Sequence, residues 1–400
     1  MQRIRSIFVV IVRITVITVI FSWLALELLL RLLTQSSPEG MTLYQGMPLR
    51  PLAIPLSYIE PEIEAYLADA DDARLIYHQE LGWTFAANLT TPIVTNDIGL
   101  RANRDYTLDA DDGIVRVAVF GDSYIAGDEV ADDETFAVAL EDALLACGVA
   151  AEVLNFGVSG YGMDQAYLRW KIIGREYQPD IVIMGFQPEN MNRNVNIVRP
   201  LVGGPGIPFT KPRFVLTEDE SLILVNSPTI APEDLVSVYQ TFDDSGLVAY
   251  EWHYNARYQP RALDNSYLLG LLEARQYNLA YAERIFVPAL TPEDERVQVT
   301  IALLRQFAAD VADANQDFVV LHMPMRPMIE DFLAGDGFSY DFVLDVLAAE
   351  MPLIRAENAF VAVDEADWAP AGHYTAQTHQ RVAELAAAWL NENNARIQCQ

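Results

Sequence analysis

The sequence predicts an α/β protein: a parallel sheet with helices on both faces, preceded by a membrane-spanning helix and interrupted by an inserted cap region. Three observations predict it. From residue 114 onward, short apolar runs alternate with helical-period stretches, the pattern of a parallel sheet assembled from βαβ units. One of those runs, "DIVIMGF" (180–186), is almost continuously apolar, as strands buried on both faces tend to be. The chain also opens on a long apolar run, "IFVVIVRITVITVIFSWLALELLLRLL" (7–33).

That opening run is read first. It exceeds the apolar core of a signal peptide, roughly 7–15 residues, and no small-residue cleavage site follows before "TQSSPEG". A bilayer is crossed by about 20 such residues in a helix. Residues 1–34 are therefore read as an uncleaved anchor, with a buried core helix and a cleaved signal as competing readings. Arg3, Arg5 and Arg13 lie toward the N-terminus, which places that end in the cytoplasm and the remainder outside it. Glu27 and Arg31 are spaced to pair on one helix face.

Residues 35–76, rich in Pro with few charges at their start, read as a linker. A catalytic-type domain follows over 77–393, with 394–400 as a tail. Its first residues look like short strands and turns. "IVRVAVF" (114–120) is the first sheet strand, and "ETFAVALEDALLACG" (134–148) the helix after it, ending at Gly148. "AEVLNFG" (151–157) is the second strand, followed by a helix over 163–177 and by strand 180–186. The alternation lapses over about 192–290, read as an insertion or lid. That stretch contains a hairpin turning at Glu218–Ser221, a long helix "SYLLGLLEARQYNLAYAERIF" (266–286), and aromatics Trp252, Tyr254 and Tyr258, expected to be exposed. Alternation resumes with a helix from Thr291, the expected N-cap, and a strand over 317–324. A helix around "YDFVLDVLAAE", a strand over 358–363, and a last helix over 376–393 capped by Thr375 complete it.

Composition excludes more than it assigns. With 26 basic against 56 acidic residues the formal charge is −30, which repels nucleic-acid phosphates. Cys147 and Cys399 allow one pair at most, too few for a disulfide framework, and no metal-binding spacing is present. No cofactor is implied.

Ligands of an open parallel sheet bind beyond the carboxyl ends of its strands. The sequence places "GDSYIAG" with Ser123 after the first strand and the Gly-rich "NFGVSGYGMDQ" after the second. It places "FQPENMNRN" with Asn190 after the third, and "DEADWAPAGHYT" with His373 after the last. A serine hydroxyl needs a base to accept its proton. A tetrahedral intermediate needs fixed donors, each worth about 3–4 kcal/mol. His373 is the candidate base, and the backbone of Ser123 and Gly160 with the Asn190 amide are candidate donors.

In order and spacing, "VFGDSYIAG", "NFGVSGYGMDQ", "FQPEN" and "GHYTAQTHQRVAE" resemble the four blocks of the SGNH (GDSL-type) hydrolase family over about residues 78–390. The resemblance implies a flavodoxin-like three-layer fold and metal-free esterase, lipase or acyltransferase activity. It makes Ser123 the nucleophile, Gly160 and Asn190 oxyanion donors and His373 the base. The anchor, with "LGW" and "NDIGLR" ahead of the GDS block, resembles members tied to cell-surface polysaccharides.

Two departures stand out. Asn190 is followed by Met191 where the family usually has Asp. The positions two and three before His373, where the family keeps its orienting acid, hold Ala371 and Pro370. Either Asp367 or Asp364 supplies the acid from farther back, or it is missing, or Asp367 itself stands at the histidine position. The helical run after Thr375 favours His373 as the base. Among the other histidines, His322 is the competitor, more naturally a satisfied strand-end residue. Asp128 and Glu129 read as solvated, and Ser123 as an N-cap is the structural alternative. The expected function is hydrolysis of an ester-linked acyl group, on a small molecule or a surface glycan. Glycan O-acylation and a non-catalytic glycan-binding or assembly role are the alternatives.

Overall fold

The computed structural model describes residues 2–37, 39–50, 52–203, 206–282 and 290–399. The chain divides into two compact units, residues 58–252 with 286–400, and residues 1–57 with 253–285.

The larger unit is organised by a five-stranded sheet: β1 (Val115–Phe120), β2 (Ala151–Asn155), β3 (Ile181–Phe186), β4 (Asp317–His322) and β5 (Leu353–Arg355). The spatial order is β2-β1-β3-β4-β5 with every pairing parallel. That is the flavodoxin-like order, and its switch point lies between β1 and β3. The principal helices are α1 (Ser123–Ala126), α2 (Phe136–Ala146), α3 (Met163–Ile172), α4 (Glu295–Asp313), α5 (Asp341–Glu350) and α6 (Ala376–Asn393).

Strand alternation makes the three layers. Val117 and Val119 of β1 face one side, against Leu140 and Leu144 of α2 and Val382, Ala386 and Leu390 of α6. Ala118 and Phe120 face the other, with Trp170 of α3, Leu303 and Phe307 of α4 and Leu344 of α5. The period-2 pattern of "VAVF" thus feeds both cores. The fold class predicted from sequence is the one observed.

Several elements differ from expectation. The last strand is Leu353–Arg355, in register with Val320–His322. The 358–363 segment is not a strand, and its Val361 is 91% exposed. The apolar "LI" before it takes the edge, directly after α5 ends. Helix α4 is capped by Asp294, whose carboxylate accepts from the Arg296 amide at 2.9 Å; Thr291 lies outside it. A carboxylate at that position also suits the helix N-terminus electrostatically. Thr375 does occupy the N-cap of α6, but its hydroxyl donates to the Ala366 carbonyl at 2.9 Å. The predicted hairpin forms from Arg213–Leu216 and Leu222–Val225.

Residues 35–76 carry regular structure where a linker was expected: three short antiparallel strands and the helix Leu56–Ala68, the latter burying Ile59 and Ile63. Cys147 and Cys399 form a disulfide. The tail is held further by Arg396, which pairs with Asp180 and Asp317 at 3.0 Å each.

In the smaller unit, the helix Gln2–Leu33 is long and apolar enough over Ile7–Leu33 to cross a membrane. Glu27 pairs with Arg31 at 3.1 Å as its spacing predicts. It also accepts from the Tyr267 and Leu268 amides and the Ser266 hydroxyl at 2.8–3.1 Å, capping the helix Tyr267–Ala282. The rest of the predicted 266–286 helix lies outside the described residues. The 192–290 insertion is therefore not one body, because 253–285 groups with the N-terminal segment. Tyr254 and Tyr258, expected to be exposed, are buried and stacked on each other at 5.4 Å. Trp252 is half-buried with the Arg296 guanidinium 4.7 Å from its ring centroid.

Candidate active site

Strand β1 ends at Phe120 and the chain turns sharply into α1. Gly121 permits the turn, since a Cβ there would lie 2.6 Å from Ile125 Cγ1. Asp122, not Ser123, is the N-cap: its Oδ1 accepts from the Tyr124 amide at 3.0 Å. The structural alternative for Ser123 thereby falls to its neighbour. Ser123 is the first helical residue, only 8% exposed.

His373 arrives from the loop ahead of α6. That loop is braced by the Ala369 amide on the His373 carbonyl at 2.8 Å and by the Tyr124 hydroxyl on the Gly372 carbonyl at 2.9 Å. The Tyr124 ring packs 5.1 Å from the imidazole. Nε2 of His373 lies 2.8 Å from Ser123 Oγ, and Nδ1 lies 2.7 Å from Glu129 Oε2.

Glu129 is therefore the acid that contacts the ring. It also accepts from the Ala371 amide at 2.8 Å and the His373 amide at 3.3 Å. Partial burial pushes its carboxyl up, but these two amides and the imidazole outweigh that and hold it below the usual carboxylate range. An ionised carboxylate only accepts. Nδ1 must then carry the proton, which leaves Nε2 free to accept from the serine hydroxyl.

The expectation for Asp367 is corrected. Its carboxylate pairs with Arg381 and takes a 3.5 Å contact from the Thr378 hydroxyl, while its carbonyl accepts from the Thr375 amide at 3.1 Å. It anchors the first turns of α6 and does not touch the imidazole. Asp364 caps the short turn 365–367 through the Ala366 amide at 3.0 Å. The reading of Asp128 and Glu129 as solvated is also corrected: Asp128 accepts from the Ser159 hydroxyl at 2.7 Å, and burial pushes its carboxyl up.

The candidate oxyanion donors share one property: they are unused. Among the described residues, no hydrogen bond is made by the amides of Ser123 or Gly160. The fully buried Asn190 side chain has no partner at either its nitrogen or its oxygen. Buried polar groups are nearly always paired, so an orphan of this kind calls for an explanation such as a catalytic role. Gly160 holds φ +78°, a left-handed conformation that L side chains rarely adopt. Met191 is buried in the apolar core beneath.

Two further residues tie the loops together, and the sequence reading passed over both. Arg193 joins Asp122 Oδ2 at 3.0 Å to the Tyr161 carbonyl at 3.1 Å. Asn155 at the end of β2 donates to the Ile125 carbonyl at 2.8 Å and accepts from the Gly157 amide at 3.0 Å. His322 is satisfied, as anticipated, by Glu357 at 2.8 Å and the Tyr340 hydroxyl at 3.1 Å. Among the described residues no group of His, Cys, Asp and Glu side chains is arranged to hold a metal ion.

No family model matches the sequence, and no curated protein does. Solved structures do match it. A catalytic mutant of Axe2, an acetylxylan esterase from Geobacillus stearothermophilus, is 11% identical, with 72% of this chain and 97% of that one covered and a TM-score of 0.38. The lipase/acylhydrolase from Enterococcus faecalis is 11% identical over 72% of this chain and 98% of its own, at 0.37. A protein from Desulfitobacterium hafniense assigned to the G-D-S-L lipolytic family is 8% identical over 69% and 99%, at 0.35.

Proposed function

We propose that the chain is an SGNH-type serine esterase, anchored in a membrane with its larger unit on the extracytoplasmic side, that hydrolyses an ester-linked acyl group. One observation carries the reading: Ser123 Oγ and Glu129 Oε2 sit on opposite nitrogens of His373, at 2.8 and 2.7 Å.

The chemistry follows from that arrangement. Ser123 Oγ attacks the ester carbonyl while its proton passes to His373 Nε2. Glu129 holds Nδ1–H and stabilises the imidazolium that forms. The carbonyl oxygen becomes an oxyanion and takes the amides of Ser123 and Gly160 and the Asn190 side chain, donors that are idle until then. The intermediate collapses, the alcohol leaves with the proton from Nε2, and the acyl group stays on Ser123. Water then attacks with His373 as base, releasing the carboxylic acid and restoring the serine.

The imidazole is 20% exposed, so water reaches the acyl-enzyme, which favours hydrolysis over transfer to a glycan. The lack of an acid before His373 favours a non-catalytic reading; the Glu129 carboxylate 2.7 Å from Nδ1 supports the catalytic one. A glycan as the alcohol portion is supported only by the sequence resemblance. Export is supported by Arg3 and Arg5 ahead of the apolar run, with Arg13 in its N-terminal part, and by the Cys147–Cys399 disulfide, a bond that persists in oxidising compartments.

The test is hydrolysis of p-nitrophenyl acetate and of an acetylated oligosaccharide by the purified full chain in detergent. Wild type releases acetate from at least one of them and Ser123→Ala from neither. Equal release by the two proteins would remove the proposal.

A further inference from the structure

We propose that Arg199 is a specificity-determining residue beside the Gly160 donor loop, and that the ester this site takes carries a carboxylate that the Arg199 guanidinium receives. The inference rests on the esterase reading above and names its substrate class.

Arg199 is 7% exposed, yet among the described residues none of its guanidinium nitrogens has a hydrogen-bond partner, and Nε and Nη1 are wholly buried. It lies at the oxyanion-donor loop: a Cβ placed on Gly160 would be 3.4 Å from both Nε and Nη2. The acidic groups nearby are already engaged. Asp122 is held by Arg193 and the Tyr124 amide, and Glu189 by Arg193 at 3.4 Å. Burial, helped by repulsion from Arg193 and opposed by Glu189 and Asp122, lowers the pKa of Arg199 to about 9. A buried cation without a partner is costly to keep.

The position is also built rather than loose. The buried Glu251 carboxylate accepts from the Asn196 side chain at 3.1 Å and the Val198 amide at 2.8 Å, and also from the Ile197 amide. The Arg199 amide itself donates to the Phe209 carbonyl at 3.3 Å. The backbone ahead of the guanidinium is thereby fixed before any ligand arrives. A planar fork with free N–H groups matches a carboxylate in bidentate fashion.

The carboxylate has two possible sources, the acyl group or the alcohol. Two matched pairs separate them: p-nitrophenyl hemisuccinate against p-nitrophenyl butyrate, and O-acetylated glucuronic acid against O-acetylated glucose. In one pair, wild type prefers the anionic member at least tenfold in kcat/KM, chiefly through KM, and 0.5 M salt weakens the preference. Arg199→Met lowers that ratio at least tenfold, and Arg199→Lys restores part of it.

Wild type that treats both members of both pairs alike, or Arg199→Met that keeps the preference, overturns the proposal. Calorimetric titration of Ser123→Ala with glucuronate, glucose, succinate and butyramide reads the subsite without turnover. Anion binding there that Arg199→Met removes supports the subsite even if the esterase reading fails. No selective anion binding overturns it even if esters are hydrolysed.

Discussion

Glu129 and His373 stand 244 positions apart in the chain and meet at 2.7 Å, the carboxylate on the imidazole Nδ1. The same carboxylate takes the amides on either side of Gly372. One side chain therefore fixes both the ring and the loop that carries it.

Replacing Glu129 by Gln separates charge from shape. The amide no longer enforces a proton on Nδ1, and by the precedent of serine proteases kcat falls by roughly 10²–10⁴. Melting of the variant should stay close to wild type. Asp367→Asn makes the opposite prediction. It breaks the pair with Arg381, which is 29% exposed, and costs about 1–3 kcal/mol of stability, while kcat stays within a few-fold. Ester turnover and denaturant melts on both variants check the assignment.

Asn190→Ala removes one oxyanion donor. Because that side chain has no partner in the resting protein, the loss should fall on the transition state: kcat down about 10²–10³ with KM little changed. A loss confined to KM would assign Asn190 to ground-state binding instead.

His379 gives a prediction for stability against pH. Both ring nitrogens are buried without partners, and burial, with the nearby His373, lowers its pKa to about 3. The unfolded chain binds a proton near pH 6.5 and the folded chain does not. Stability is therefore fully present above that pH and falls as the pH drops toward 3. Between pH 7 and pH 5 the loss from this group is about 2 kcal/mol. His379→Leu should flatten that limb in urea melts, and an unchanged slope would contradict the prediction.

The disulfide reports on compartment. If the larger unit is exported, Cys147 and Cys399 resist alkylation in intact cells until a reductant is added, and reduction of the purified protein lowers its melting temperature without changing kcat. Ready alkylation in unreduced cell extracts would argue against export.

Much of the fold was legible because it rests on local pattern. "IVRVAVF" and "DIVIMGF" are both almost continuously apolar, and both became strands buried on both faces. The 358–363 segment misled because "AFVAV" has strand composition, while the strand that forms is the three-residue "LIR" just upstream. Ser123, Gly160 and Asn190 could be proposed from short motifs that follow strands, and His373 from its place just ahead of the last helix. Glu129 could not, since its partner lies at the far end of the chain and nothing near "GDEV" distinguishes a ring-orienting carboxylate from a solvated one. Arg199 carries no sequence signal either. Its distinction is the lack of a partner, a property only the folded environment has.

The central claim is that His373, oriented by Glu129, takes the proton of Ser123. It is tested most directly by treating the full chain with a fluorophosphonate and following adduct formation by peptide mass. The expected result is a single adduct on Ser123, forming at least 100-fold more slowly in His373→Ala and markedly more slowly in Glu129→Gln. An unmodified Ser123, or equal rates in wild type and His373→Ala, would contradict it.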